Sequence, residues 1–157
     1  MSGVSTPSPT PTIVLAFDYG THRIGVACGN TLTRMAQALC TLDCTQRQIP
    51  WSGIERLLHD YAPHQLVVGL PYNSDGTATG LTPLVQAFAA ELATRSRLPV
   101  ALVDERHSSQ EAERELAHAR RSGLKTRRVT HADVDKVAAK VVLERWLSQA
   151  THLNKIS

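Results

Sequence analysis

Two short apolar runs separated by a tight turn lie near the start of the chain. The first run, Ile13 to Phe17, is followed directly by Asp18, and the second run covers Ile24 to Cys28. This pattern predicts two neighbouring β-strands that are buried on both faces. An ionised carboxylate leaves water at high cost unless it is paired or bound to a metal. Asp18 is therefore either an ordinary turn residue at the surface or a group held at the strand end for chemistry.

Strand and helix signals alternate along the rest of the chain. Further strands are predicted at 36–42, 65–69 and 100–103, and helices at 52–61, 82–96, 108–120 and 132–149. The resulting order, β-β-β-α-β-α-β-α, begins with a hairpin or meander and continues with crossovers that imply parallel strands. We therefore predict an α/β fold with a mixed central sheet of about five strands flanked by helices.

The length and composition of the chain fit one domain. A chain of 157 residues leaves little room for a second hydrophobic core, and 42% hydrophobic residues are ordinary for a globular protein. The predicted division is a disordered tail rich in Ser, Thr and Pro at 1–12, one domain at 13–150 and a short tail at 151–157. The net charge of +3 suits an anionic partner but does not require one.

The cysteines and the hydropathy pattern indicate the cellular compartment. Cys28, Cys40 and Cys44 are an odd number, and no second pair of ligands stands at a zinc spacing. We interpret them as reduced thiols of a cytoplasmic protein. The sequence has no apolar stretch of about 18 residues, so no membrane association is predicted.

Acidic residues occur at two further element ends. Asp104 and Glu105 follow the strand that begins at Val100, and Asp135 lies near the start of the last helix. Because successive side chains of a strand point to opposite faces, Asp104 and Glu105 cannot both reach one site. The strand pattern leaves open which of the two does.

A helical wheel separates Asp135 from Asp133. At about 100° per residue, Asp135 shares the apolar face with Ala138, Ala139, Val142 and Trp146, and we expect this face to pack on the sheet. Asp133 falls on the opposite side with Lys136 and Lys140, and we expect it to face water. The favourable position of an acid near a helix N-terminus explains Asp133 but not an acid on the buried face.

Carboxylates that converge from separate elements repel one another unless a cation neutralises them. Mg²⁺ and Mn²⁺ prefer such oxygen ligands. Two such ions about 3.5–4 Å apart can activate a water and stabilise the leaving oxygen of a phosphodiester. The alternative is that the acids form only helix caps and salt bridges, and the residue pattern leaves both interpretations open.

Four segments, in order and spacing, resemble the YqgF/RuvX family: DYGTHRIGVA, VGLPYNSDGT, VDERHSSQEA and VDKVAAKVVLERWL. The resemblance covers roughly residues 13–148. It implies the RuvC-like branch of the ribonuclease H fold, and a metal-dependent nuclease with two bound ions of Mg²⁺ or Mn²⁺. It also implies that Asp18, Glu105 and Asp135 are the catalytic and metal-binding carboxylates.

The resemblance further assigns contacts with the substrate. The acid–arginine pair of the family matches Glu105 and Arg106, which leaves Asp104 as the neighbour that faces away. Family members usually carry Lys or Arg where this chain has His22, so Arg23 is the assured positive charge of the first turn. A second departure, at residues 131–133 before the last helix, removes no proposed metal ligand.

Two polar segments are additional candidates for contact with nucleic acid. The segment ARRSGLKTRR at 119–128 has five basic residues and no acid, so Arg127 and Arg128 are candidates for phosphate contacts. A solvated loop is the alternative. Tyr72 and Asn73 follow the strand at 65–69 and suit substrate contact, although an ordinary turn explains Asn73 equally well.

The expected function is hydrolysis of phosphodiesters in 5′-end maturation of precursor 16S rRNA, a step of ribosome biogenesis. One alternative is cleavage of Holliday junctions or other branched DNA, which needs two sites related by symmetry and therefore a homodimer. A second alternative is a non-catalytic RNA-binding module for ribosome assembly. An ATP-binding domain of the actin or sugar-kinase type is disfavoured, because 157 residues contain no second Asp-x-Gly half.

Overall fold

The computed structural model describes residues 12–71, 75–105, 114, 116–118 and 131–156. The strands are β1 (Ile13–Tyr19), β2 (Arg23–Asn30), β3 (Ala36–Asp43), β4 (Gln65–Leu70) and β5 (Val100–Asp104). The helices are α1 (Trp51–Tyr61), α2 (Thr82–Ser96) and α3 (His131–Ile156). Residues 114 and 116–118 are also helical.

The five strands form one sheet in the order β3-β2-β1-β4-β5. The pairs β1–β2 and β2–β3 are antiparallel, whereas β1–β4 and β4–β5 are parallel. The first three strands are therefore a meander, and the crossovers that precede β4 and β5 add parallel strands at the other side of β1. This arrangement confirms the predicted α/β fold with a mixed five-stranded sheet.

Helices cover both faces of the sheet. Alternate side chains of β1 divide between them: Leu15 and Phe17 pack in one core with residues of α1 and α2, whereas Val14 and Ala16 pack in a second core with α3. Because Asp18 follows Ala16 by two residues, the strand alternation directs its side chain to the α3 face. The second core therefore leads directly to the candidate site.

The start of α2 is fixed by a buried hydroxyl group. Thr82 is 4% exposed, and its Oγ1 donates a hydrogen bond of 2.7 Å to the carbonyl oxygen of Pro71, just after β4. Thr79 accepts a bond of 3.2 Å from the backbone N–H of Thr82. These contacts hold the start of α2 against the end of β4. The end of β4 is next to the carboxyl end of β1, where Asp18 lies.

The last helix is longer than the sequence predicts. α3 begins at His131 and continues to Ile156, so residues 151–156, which the sequence pattern assigns to a tail, extend the helix. Most of the helix predicted at 108–120 lies outside the described residues. Within its described part, Leu116 packs against Val137 and Ala138 of α3. None of the helices in the described part of the chain combines the length and apolar character needed to cross a lipid bilayer.

Candidate active site

Asp18 and Glu105 lie at the carboxyl ends of β1 and β5, which are at the same end of the sheet. Asp18 is near the end of β1, and Glu105 directly follows β5. The backbone N–H of Glu105 donates to the carbonyl oxygen of Leu70 at 3.0 Å, which extends the parallel β4–β5 pairing by one residue. Because Val103 packs in the α3 core, Glu105 points to that face and Asp104 to the other. The structure therefore brings Glu105, and not Asp104, towards Asp18.

Gly69 makes room for the carboxylate of Glu105. This glycine lies in β4, the strand between β1 and β5. A Cβ at Gly69 would lie 2.7 Å from Oε2 of Glu105 and 2.9 Å from Cγ2 of Val142 in α3. Only a residue without a side chain allows Glu105 to reach across β4 towards β1.

Gly25 makes room for the start of α3. It pairs with Asp18 in the β1–β2 register. A Cβ at Gly25 would overlap the backbone carbonyl group of Asp135 and lie 2.9 Å from the backbone nitrogen of Lys136. The helix backbone therefore rests directly on β2, opposite Asp18, and this contact brings Asp135 to the same end of the sheet. The Asp135 side chain is directed towards the sheet, as predicted, because its carboxylate contacts Arg23 of β2, but it is partly exposed and not buried.

Asp18 and Glu105 are hydrogen-bonded to each other. Burial raises the pKa of Asp18 well above its usual 3.8, and the hydrogen bond with Glu105 and the charges of Glu105 and Asp135 raise it further. Burial also raises the pKa of Glu105, while its hydrogen bond with Asp18 and the charge of Arg145 act in the opposite direction. Without a cation, both shifts favour the protonated form of these carboxyl groups.

Asp135 is paired with Arg23. Nε of Arg23 donates to Oδ2 of Asp135 at 2.8 Å, and the two side chains are 36% and 27% exposed. Within the described ranges, no three His, Cys, Asp or Glu side chains lie close enough to coordinate one ion in their present conformations. The chemistry of the donor set nevertheless fits a hard divalent cation, because such an ion prefers carboxylate oxygens and would offset the mutual repulsion of three carboxylates from separate elements.

The expectation that Asp133 faces water is wrong. Its side chain is 2% exposed, and Oδ1 of Asp133 lies 3.8 Å from Nζ of Lys136. The helical stretch that contains Leu116 packs against Val137, one turn after Asp133. It therefore covers a side of α3 that the helical wheel assigns to solvent. Asp133 is therefore a buried polar residue of the helix start.

Arg145 and the two glycines were not singled out by the sequence pattern. Arg145 lies in α3, its Nη1 donates to the carbonyl oxygen of Asp104 at 3.1 Å, and its charge lowers the pKa of Glu105. An arginine within the apolar segment VVLERWL was an available signal. Among the other candidates, Arg23 is in the site, whereas Tyr72, Asn73, Arg106, Arg127 and Arg128 lie outside the described residues.

The raised pKa of Asp18 predicts how stability depends on pH. A carboxyl group whose pKa is raised by folding binds more protons in the folded than in the unfolded chain, so rising pH lowers stability from the usual carboxyl range upward to the raised pKa. We expect the metal-free protein to lose stability across this window above about pH 4. The loss should be much smaller in Asp18→Asn. Thermal melting between pH 4 and 8 in EDTA measures both proteins, and an equal loss in the variant would contradict a raised pKa of Asp18 in the folded protein.

Comparisons with known sequences point to a single family. A family model described as "RuvX: Holliday junction resolvase" matches residues 12–149. A Xylella fastidiosa protein named "Putative pre-16S rRNA nuclease" is 44% identical over 156 residues, which covers 98% of this chain and 99% of that protein. A Burkholderia multivorans protein of the same name is 43% identical over 149 residues, with 95% of each chain covered.

Solved structures show a likeness in fold. RuvC of Thermus thermophilus in complex with a Holliday junction substrate aligns with a TM-score of 0.53 at 14% identity, covering 88% of this chain and 96% of that chain. The yeast mitochondrial Holliday junction resolvase Ydc2 aligns with a TM-score of 0.55 at 13% identity, covering 96% and 85%. These likenesses confirm the ribonuclease H-like, RuvC-type fold.

Proposed function

The chain belongs to the RuvX family, and from this we propose that it is a divalent-metal-dependent nuclease that hydrolyses phosphodiester bonds. Asp18, Glu105 and Asp135 are its proposed catalytic and metal-binding residues. The observation that carries the proposal is the convergence of β1, β5 and α3 on one end of the sheet, where Asp18 and Glu105 are hydrogen-bonded and the charge of Asp135 acts on Asp18. Salt bridges and caps alone do not account for two partly buried carboxyl groups that are hydrogen-bonded to each other, because that arrangement costs stability without a cation.

The residues of the proposed site have different roles. Mg²⁺ or Mn²⁺ would be held by Asp18, Glu105 and Asp135, and the bound metal, two ions in our proposal, supplies activation of a water and neutralisation of charge on the leaving oxygen. Asp18 and Glu105 must both be deprotonated to act as anionic ligands. Arg145 compensates part of the charge of Glu105, and Arg23 provides a guanidinium for a substrate phosphate.

We propose precursor 16S rRNA as the substrate, with the protein acting in ribosome biogenesis in the cytoplasm. Support comes from relatives at 43–44% identity that match over 95% or more of both chains and carry that substrate in their names. Branched DNA is the second candidate, supported by the description of the family model and by the fold of the junction resolvases. In that case a homodimer would be required, since two strands must be cut symmetrically.

One cleavage assay separates these candidates. The purified protein is offered a precursor 16S rRNA leader and a four-way DNA junction, each with Mn²⁺, with Mg²⁺ and with EDTA. We expect metal-dependent cleavage of the RNA leader near the mature 5′ end and no cleavage in EDTA. Cleavage of the junction alone would favour the second candidate, and cleavage of neither substrate would favour a non-catalytic RNA-binding module.

Divalent ions should stabilise the folded protein. A ligand that binds only the folded state raises the melting temperature through mass action, and at about a hundred times its dissociation constant it contributes roughly 2.7 kcal/mol. We expect millimolar Mn²⁺ to raise the melting temperature of the parent protein and to have little effect on Asp18→Asn. Differential scanning fluorimetry with and without Mn²⁺ measures this, and an undiminished rise in the variant would place the ion elsewhere.

A further inference from the structure

The pairing of Arg23 with Asp135 engages two residues that the proposed function needs for other partners. Nε of Arg23 lies 2.8 Å from Oδ2 of Asp135, a charge-assisted hydrogen bond between residues 112 positions apart in sequence. In the proposed function, Asp135 binds a divalent ion and Arg23 binds a substrate phosphate. Neither group is fully available while they are paired with each other.

The position of the pair allows both partners to be exchanged. Arg23 is the first residue of β2. It is two positions before Gly25, so both residues face the same side of the sheet, and Arg23 lies on the α3 face beside Asp135. Both side chains are partly exposed, so ions and phosphates reach them from solvent. The described contact uses one nitrogen of Arg23, and the guanidinium has further N–H donors for a second anion.

We propose that Arg23 is an internal counter-ion that changes partner. It neutralises Asp135 when no divalent ion is bound, and a divalent ion at Asp135 releases it to a phosphate of the nucleic acid. The inference rests on the proposed function, because it takes Asp135 as a metal ligand and nucleic acid as the substrate. Arg23 thereby acts as a positioning residue that couples metal binding to substrate binding, and the coupling is reciprocal.

Substitution of Asp135 should reproduce the release of Arg23 without any metal. In EDTA, Asp135→Asn removes the counter-charge and leaves Arg23 available to phosphate. Removing any carboxylate also favours RNA binding through long-range electrostatics, so the gain must be compared with and without Arg23. The matched control is Asp43→Asn, because Asp43 is exposed and pairs with Arg23 in the β2–β3 register.

The first measurement is therefore a double-mutant cycle on RNA affinity in EDTA. A mixed-sequence single-stranded RNA is titrated with the parent, Asp135→Asn, Arg23→Gln, the double variant and Asp43→Asn. We expect the gain in RNA affinity from Asp135→Asn to be at least about threefold larger when Arg23 is present. In that background the slope of log affinity against log salt concentration should also steepen by about one unit. Asp43→Asn should give only the smaller gain that follows from removing a nearby charge outside the site. Equal gains in the two backgrounds would overturn the exchange.

The second measurement is Mn²⁺ affinity by titration calorimetry in the absence of RNA. Without Arg23, Asp135 has no competing cation, so Arg23→Gln should bind Mn²⁺ at least about threefold more tightly, whereas Arg23→Lys should stay within about twofold of the parent. Unchanged or weaker binding by Arg23→Gln would overturn the exchange. Failure of every protein to bind RNA, with or without Mn²⁺, would overturn the proposed function together with it, whereas RNA binding with equal gains overturns the exchange alone.

Discussion

Glu105→Gln should lower nucleic-acid cleavage at least about a hundredfold, which corresponds to roughly 2.7 kcal/mol of transition-state stabilisation. The substitution keeps the size of the side chain and removes the charge that a divalent ion requires. The variant should fold in the absence of metal, because the glutamine amide can still hydrogen-bond with Asp18 and one partly buried ionisable group is removed. Single-turnover cleavage at saturating Mn²⁺ and melting in EDTA measure the two effects separately.

Asp104→Asn is the matched control for that substitution. The two residues are adjacent in the chain, but only Glu105 follows Val103 on the α3 face of β5. Asp104 affects the site through its charge, which raises the pKa of Glu105, so its removal should leave turnover within about threefold of the parent. A severe loss in Asp104→Asn with normal turnover in Glu105→Gln would show that the strand alternation at the site is assigned incorrectly.

Gly25→Ala should destabilise the protein by roughly 3 kcal/mol and also impair cleavage. The added methyl group would overlap the backbone of Asp135, and a backbone cannot move aside as a flexible side chain can. The start of α3 must therefore shift away from β2 and carry Asp135 with it. Chemical denaturation gives the free energy of unfolding, and single-turnover kinetics give the effect on the site.

Gly53→Ala provides the control for a general effect of alanine in place of glycine. Gly53 lies in α1, and a Cβ there would be 3.4 Å from Cδ2 of Leu42, an ordinary van der Waals contact. Alanine is the better helix former, so we expect this variant to be equal to the parent or more stable by up to about 1 kcal/mol. An equally mild effect of Gly25→Ala would mean that α3 does not rest on β2 in solution.

The strands and their order along the chain could be predicted because the information is local. Apolar runs such as Ile13–Phe17 and Gln65–Gly69 are short, buried and bounded by turn residues, so their positions match the structure to within about two residues. Strand alternation also separated Glu105 from Asp104 once the acid–arginine pattern was recognised. The orientation of Asp135 followed from the apolar face of its own helix.

The prediction that failed and the features that were not predicted depend on contacts between distant parts of the chain. Asp133 was predicted to face water because a helical wheel contains no information about the layer that Leu116 belongs to. The need for glycine at Gly25 and Gly69 arises only from the close approach of α3 and Glu105. The pairing of Arg23 with Asp135 joins β2 to the last helix, and nothing in either segment alone indicates that partner.

A crystal structure with Mn²⁺ would test the proposed site most directly, because the anomalous scattering of manganese locates the ion independently of the protein atoms. We expect anomalous density in contact with the carboxylates of Asp18, Glu105 and Asp135, and we expect Arg23 to be separated from Asp135. Density at another place on the protein, with the Arg23–Asp135 pair intact, would contradict the assignment of these carboxylates as the metal site.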